Sequence, residues 1–283
     1  MNNFGFLLRL AALVICLAPL GVRCAVLDWD KLTWTPGSLT NTYYATNTAN
    51  PTGYFYKDDD NSGVASVTIW ISGNVNRLTN DPSGPMTPFL QSNSPSGGLS
   101  PREMNLKTFL DFANTNEYIT INISFNYFFG VSNVTLRIFD VDTHSDLHSF
   151  VDQIRNVTGT YSGYSVGVPV NAVGSPANTV TSNNTRFVRI TGTNDAAQTT
   201  TNGNVTLNFG TNVIHNIRFD YGSGPGAVAN PSFQSIGLYD IVFYPRPRVP
   251  EIGAGWIAGA GCLLLMGWHS IRARLRMKHR LEP

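Results

Sequence analysis

Six segments of this chain alternate in polarity with a period of two, and this pattern is the strongest constraint on its fold. In each segment one set of alternate positions is mainly apolar, and in the first five segments the other set is mainly polar. The mainly apolar sets are Val67, Ile69 and Ile71; Ile119, Ile121, Ile123 and Phe125; Val134, Leu136 and Ile138; Val205, Leu207 and Phe209; Val213, His215, Ile217 and Phe219; and Gly237, Tyr239, Ile241 and Phe243. Successive side chains of a strand point to opposite faces, so the pattern predicts strands with one buried and one solvated face.

Stretches rich in glycine, proline, serine and asparagine separate these segments, for example at residues 81–85 and 222–226. Such composition is typical of turns. Residues 101–114 have a spacing that fits a short helix or the entry to a strand. Antiparallel strands without recurring helices favour two packed sheets. We therefore predict an all-β fold, a jelly-roll-like antiparallel β-sandwich over residues 25–248.

Residues 1–24 have the features of a secretory signal peptide. Arg9 precedes an apolar core at residues 10–20, and cleavage after Cys24 would place Val22 and Cys24 at the two recognition positions. This segment predicts that the domain at residues 25–248 is exported.

Cysteine placement and charge limit what the exported domain can do. Cys16, Cys24 and Cys262 all lie outside residues 25–248, so we expect neither a disulfide nor a zinc–thiolate site in the domain. The domain has 12 Lys and Arg against 16 Asp and Glu. A nucleic-acid-binding surface needs a basic face to meet phosphates, and we therefore expect no nucleic acid partner.

Residues 249–283 carry three consecutive features. The motif Val249-Pro250-Glu251 is followed by an uncharged apolar segment of 17 residues at 252–268 and by a basic tail at 269–283. The basic residues of the tail are Arg272, Arg274, Arg276, Lys278 and Arg280. A helix of that length measures about 25 Å, close to the thickness of a hydrocarbon core, and basic flanks favour the cytoplasmic side. The pattern predicts a transmembrane helix at 252–268, with the domain outside the cytoplasm and the membrane as a partner.

This order of features resembles the PEP-CTERM sorting signal of exosortase substrates. The resemblance covers residues 249–283, and Ile252 stands where that family's motif has a second proline. It implies recognition by an exosortase-like processing enzyme, and a protein of the envelope or extracellular matrix of exopolysaccharide-producing bacteria. A plain single-pass anchor at the cell surface is the alternative interpretation.

Four aspartates are candidate ligands for a hard cation. Asp140 and Asp142 follow a strong strand pattern, and carboxylates at i and i+2 share one face of an extended chain. Asp240 is predicted on an apolar strand face, where an aspartate is costly unless it is paired or metal-bound. With Asp28 near the start of the domain, these residues resemble calcium-stapled jelly rolls of secreted bacterial carbohydrate-binding modules. That resemblance implies a structural calcium ion shared by the first and last strands.

An interpretation without a metal is favoured over the calcium site for these aspartates. Asp140 and Asp142 would then cap a turn, and Asp240 would pair with an arginine such as Arg137 or Arg218.

Two further patterns give weaker predictions. Residues 58–63 match the first half of an EF-hand calcium loop, but Ile69 stands where a bidentate glutamate is needed. His144 and His148 have the spacing of a zinc peptidase motif, but Ser145 stands where that mechanism needs a glutamate base.

Aromatic residues suggest how the domain would bind a ligand. Tyr43 and Tyr44 lie near residues 54–56, which are all aromatic, and follow Trp29 and Trp34. An exposed ring offers an apolar face to a sugar, although the same residue types are common in strand cores.

Two functions fit the sequence. The favoured one is an exported, non-enzymatic surface or matrix protein that contacts polysaccharide or mediates adhesion. The alternative is a secreted β-sandwich polysaccharide hydrolase, for which Asp140 and Asp142 are the candidate carboxylate pair.

Overall fold

The structure is a computed structural model that describes residues 24–44, 65–146, 149–161 and 166–246. These ranges form fourteen β-strands. The strands are β1 Ala25–Leu27, β2 Thr40–Tyr44, β3 Ser66–Gly73, β4 Phe89–Gln91, β5 Asn105–Leu110, β6 Tyr118–Asn126, β7 Val131–Phe139, β8 Asp152–Thr160, β9 Asn171–Val173, β10 Asn178–Thr181, β11 Arg189–Gly192, β12 Val205–Asn208, β13 Asn216–Ser223 and β14 Gln234–Pro245.

The strands form two antiparallel sheets of seven strands each. The first sheet has the order β4-β5-β14-β7-β12-β9, with β1 paired to β14, and the second has the order β10-β11-β8-β13-β6-β3-β2. Eight of these strands form two four-stranded sets, β5-β14-β7-β12 in the first sheet and β6-β13-β8-β11 in the second. This is the strand order of two Greek keys wound into a jelly roll.

A single apolar core lies between the sheets. In β6 the residues Ile119, Ile121 and Ile123 are almost fully buried, as the period-two pattern predicts. Across the core, the ring of Phe125 on β6 lies 5.0 Å from the ring of Phe243 on β14, measured between centroids. The predicted all-β, two-sheet architecture is confirmed.

The last strand departs from the predicted alternation. Leu238 and Ile241 are both buried in the core although they are three positions apart, an odd spacing that would place them on opposite faces of a regular strand. The register of β14 against β7 shifts between these two residues. A bulge of this kind reverses the side on which the following residues point. Asp240 lies within the bulge and is half-buried, so it does not occupy the apolar face that the sequence pattern predicted.

The predicted fold class needs one correction, because it included a C-terminal transmembrane helix. Within the described ranges no helix is long and apolar enough to cross a membrane. Their helical elements are two three-residue 3-10 turns, Trp29–Lys31 and Val75–Arg77. Such a turn rises about 6 Å, against the ~30 Å of a hydrocarbon core. The fold of the described chain is therefore all-β.

Several sequence predictions fall outside the described residues. These are the signal peptide up to residue 23, the segment 58–63, His148, the motif at 249–251, the apolar segment at 252–268 and the basic tail at 269–283. Residues 101–114, which fitted a helix or a strand entry, contain the strand β5, whose Leu106 and Leu110 point into the core.

Candidate functional site

Three aspartates meet where β7 ends and β8 begins, and we call them the aspartate cluster: Asp140, Asp142 and Asp152. All three side chains are buried. The backbone N–H of Asp142 donates to Asp152 Oδ2 at 3.3 Å, and the Tyr221 hydroxyl donates to Asp152 Oδ1 at 2.7 Å. The backbone N–H of Ala196 donates to Asp142 Oδ2 at 2.8 Å. The cluster thus links the β7–β8 connection to β13 and to the loop before β12.

Burial makes these carboxyl groups hard to ionise. Desolvation, reinforced by the charge of Asp142, raises the pKa of Asp140 to about 8. Desolvation raises the pKa of Asp142 to about 7, against the opposing effect of the Ala196 N–H. The pKa of Asp152 is also raised well above its ordinary value, first by desolvation and then by Asp142. The neutral acid is therefore favoured for Asp140 near pH 7, while Asp142 titrates close to that pH.

A buried cation lies beside the cluster but is held by a different carboxylate. Lys107 Nζ forms an ion pair with Asp81, and both side chains are almost completely buried. Asp81 Oδ1 also accepts from the N–H and the hydroxyl of Ser83, at 2.9 and 2.8 Å. The charge of Lys107 has only a minor lowering effect on the pKa of Asp140. The lysine thus compensates one aspartate and leaves the cluster with an excess of carboxyl groups.

Asp28 and Asp240 belong to a second acidic group, which lies further along β14 than the aspartate cluster. The backbone N–H of Trp29 donates to Asp240 Oδ1 at 3.0 Å. Desolvation, then the charges of Asp28, Glu103 and Asp30, raises the pKa of Asp240 to about 7. A further contact is a salt bridge of 2.7 Å between Lys31 Nζ and Asp28 Oδ2. This acidic group lies close to the pairing of β1 with β14.

The four predicted calcium ligands therefore form two separate pairs. Asp140 contacts Ser235 of β14, whose hydroxyl donates to Asp140 Oδ2 at 3.3 Å. Asp240 lies five residues further along the same strand, which corresponds to about 16 Å of extended chain. Among the described residues, no group of three or more His, Cys, Asp or Glu side chains is arranged to hold a metal ion.

The arginine pairings considered for Asp240 do not form. Arg137 lies over the ring of Tyr239, 5.9 Å from its centroid. Arg218 lies 3.5 Å from Asp220 Oδ1. Asp240 takes a backbone amide as its partner instead, because the bulge in β14 turns it towards the start of the chain.

The solvent side of the second sheet is the other chemically distinct region, and we call it the outer face. Its side chains are the polar half of the period-two pattern. One row across five neighbouring strands, β2, β3, β6, β13 and β8, is fixed by the strand register. The row consists of Thr40, Trp70, Asn122, Arg218 and Thr158. It spans about 19 Å at the usual spacing of strands.

Aromatic and hydrogen-bonding groups share this outer face. Trp70 retains 36% of its surface, and Tyr44 retains 61%. A neighbouring row contains Thr42 and Thr68, whose hydroxyls lie 3.0 Å apart. The Asn122 side chain donates weakly to the Trp70 carbonyl oxygen at 3.4 Å. An exposed ring beside hydroxyl and amide groups is a surface that can stack on a sugar and hydrogen-bond to it.

The aromatic residues that the sequence favoured for binding mostly serve the core. Trp29 and Trp34 are buried with ring centroids 6.4 Å apart, and Tyr43 packs edge-on against Trp29 at 6.2 Å. Of the predicted group within the described residues, Tyr44 alone is exposed. Trp70 lies outside that predicted group, although its position between Thr68 and Ser72 in the polar half of β3 is a sequence signal for an exposed ring.

Comparisons of the chain with protein-family models, with curated proteins and with solved structures found no match. The geometry of the outer face and of the two acidic groups is therefore the basis for proposing a function.

Proposed function

We propose that this chain is an exported, non-enzymatic protein of the cell envelope or extracellular matrix that binds polysaccharide on its outer face. The observation that carries the proposal is the row of Thr40, Trp70, Asn122, Arg218 and Thr158 across five strands. A flat, regular surface of hydroxyl, amide and guanidinium groups around one exposed indole suits an extended polymer. The rigid sheet below holds these groups in place without a ligand.

The sequence at both ends supports the localisation in this proposal. The signal-like segment at residues 1–24 favours export, and the motif Val249-Pro250-Glu251 with its basic tail favours recognition by an exosortase-like enzyme. Mass spectrometry of the protein from an exosortase-bearing host tests the processing step. Loss of the tail after the motif is the expected result. Surface protein that still carries Arg280 would contradict processing and leave the outer-face proposal in place.

The alternative of a polysaccharide hydrolase has less support. Its candidate carboxylates, Asp140 and Asp142, retain 7% and 4% of their surface. A glycosidase must place both carboxylates against the scissile bond, with the sugar between them. Side chains buried to this degree, one bonded to Ser235 and the other to the Ala196 amide, do not present such a pair to a polymer.

Retention of the purified full-length protein on a panel of immobilised polysaccharides tests the proposal. We expect retention without release of reducing ends, and loss of retention in Trp70→Ala. The matched control is Phe187→Ala, since Phe187 is an exposed aromatic residue (79%) in the turn between β10 and β11. Equal retention by both variants would refute the outer face as the binding surface. Product release that disappears in Asp140→Asn would establish the hydrolase instead.

A further inference from the structure

The charged residues of the outer face are unevenly distributed. Three neighbouring strands, β11, β8 and β13, each carry one outward arginine: Arg189, Arg155 and Arg218. Ile190 and Ile154 pair across β11 and β8 and point into the core, so the adjoining Arg189 and Arg155 point outward. Asp220 is the acidic residue among the outward positions of the described strands of this sheet.

That aspartate is held below the surface. The side chain of Asp220 is only 1% exposed. Its Oδ1 accepts from the Thr120 hydroxyl and its Oδ2 from the Asn156 amide, both at 2.7 Å. These bonds satisfy the carboxylate inside the sheet surface. Arg218 Nη2 lies 3.5 Å from Asp220 Oδ1, yet 54% of the Arg218 side chain remains accessible.

The second arginine is positioned by an aromatic ring. The Arg155 guanidinium lies over the ring of Tyr118, 5.1 Å from its centroid. Stacking on a ring orients a guanidinium while leaving its N–H groups free to bind an oxyanion. Arg155 pairs with Asp220 in the strand register, and Arg218 is two residues from Asp220. In the strand register both arginines thus lie next to the same buried aspartate.

In the described part of this sheet, the excess of basic residues is confined to these three strands. The domain as a whole has more acidic than basic residues, yet these strands present three arginines against one buried aspartate. The other half of the outer face, on β2, β3 and β6, carries Trp70 among threonine, serine and asparagine. A polymer lying along the row would meet an aromatic, uncharged half and then a basic half.

From this arrangement we infer that the outer face selects an anionic polysaccharide, one whose sugar rings carry carboxylate groups. This inference rests on the proposed function, since it specifies the ligand of the same face. A guanidinium binds a carboxylate through two parallel N–H donors, which gives directional recognition as well as charge. The neutral half supplies ring stacking, and the basic half discriminates between charged and uncharged sugars.

Two polymers with the same sugar backbone, one with free carboxylates and one with esterified carboxyl groups, test the inference. The probes are polygalacturonate and its fully methyl-esterified form, offered to the full-length protein, with Kd measured at low and at physiological salt. We expect the acid form to bind about tenfold tighter, and its advantage to shrink as salt screens the charges. Arg218→Gln should weaken binding of the acid form about fivefold, a larger loss than it causes for the ester.

Arg102→Gln is the matched control, because Arg102 is exposed and bonds to Asn93 in the connection between β4 and β5. Equal affinity for both polymers, lost together in Trp70→Ala, would overturn the charge selectivity and leave the proposed function standing. If neither polymer shows binding that depends on Trp70, both the charge selectivity and the proposed function are overturned. Equal affinity for single-stranded DNA would show unspecific attraction of polyanions and also overturn the inference.

Discussion

The hydroxyl of Tyr221 donates a hydrogen bond of 2.7 Å to Asp152 Oδ1 in the interior of the domain, where both side chains are almost fully buried. This bond joins β13 to the first residue of β8 inside the aspartate cluster. Removing the donor leaves a buried oxygen without a partner, which costs about 1–3 kcal/mol. We expect Tyr221→Phe to lower the free energy of unfolding by that amount in urea denaturation. Tyr44→Phe, on an exposed residue, should change it by less than about 0.5 kcal/mol.

The domain should lose stability as pH rises through neutrality. An aspartate with a raised folded-state pKa binds its proton more tightly when folded, so its stabilising effect is complete below the unfolded pKa of 3.8 and is lost as pH passes the folded value. For Asp140, Asp142 and Asp240 those values are about 8, 7 and 7. Each such group contributes up to about 1.4 kcal/mol per pH unit within that window.

Thermal melting between pH 5 and 9 measures this dependence, and we expect Tm to fall with increasing pH. Asp142→Asn removes one titrating group and should flatten the profile. Asp146→Asn is the control, because the Asp146 side chain is 87% exposed. Asp81 and Glu117 have lowered pKa values, so their effects appear only in acid, below this window. A Tm that rises from pH 5 to 8 would contradict the assignment.

The strands were predictable because a period of two is a local property. Ile119, Ile121 and Ile123 each point inward for the same reason, and no knowledge of their partners is needed. Partner strands were not predictable in the same way. The pairing of β5 with β14 joins Leu106 to Leu238 across more than half of the described chain, and nothing in either strand's own sequence specifies the other.

The candidate site shows the same difference between features set by local sequence and features set by strand pairing. Asp140 and Asp142 were predicted to lie together, and only one residue separates them in the chain. Asp240 was predicted on the wrong face because the register of β14 against β7 shifts at this point, and such a shift depends on the partner strand rather than on the residue pattern. Arg155 and Arg218 become a pair only through the strand order β8-β13, which is a property of the topology.

The ion pair of Lys107 with Asp81 should be strongly coupled. Only 7% of one side chain and 3% of the other is exposed, so breaking the pair leaves a buried charge without compensation. We expect Lys107→Met to destabilise the domain by about 3–5 kcal/mol. The double variant Lys107→Met with Asp81→Asn should recover much of that loss. A double-mutant cycle in urea measures the coupling, and additive single effects would show that the pair contributes no coupling energy.

Gly192 allows the backbone of β11 to approach the aspartate cluster. A Cβ atom at this position would lie 1.8 Å from the carbonyl oxygen of Asp142, a backbone atom that cannot move aside. Gly192→Ala should therefore lower the free energy of unfolding by several kcal/mol. Gly167→Ala is the matched control, since its nearest neighbours, atoms of Thr158, are 3.4 Å away. Equal stability of the two variants would contradict the close packing around Asp142.

Trp70 and Trp29 should separate binding from folding. Trp29 is fully buried against Trp34 and Tyr43, and truncation to alanine is expected to cost about 3–5 kcal/mol of stability. Trp70 projects from the opposite side of the second sheet and is partly solvated, so Trp70→Ala should leave Tm within a few degrees of the parent value and remove retention on polysaccharide. Calorimetry and retention measured on the same preparations test this. If Trp70→Ala unfolds the domain as readily as Trp29→Ala does, then Trp70 is a packing residue and the outer face loses its aromatic platform.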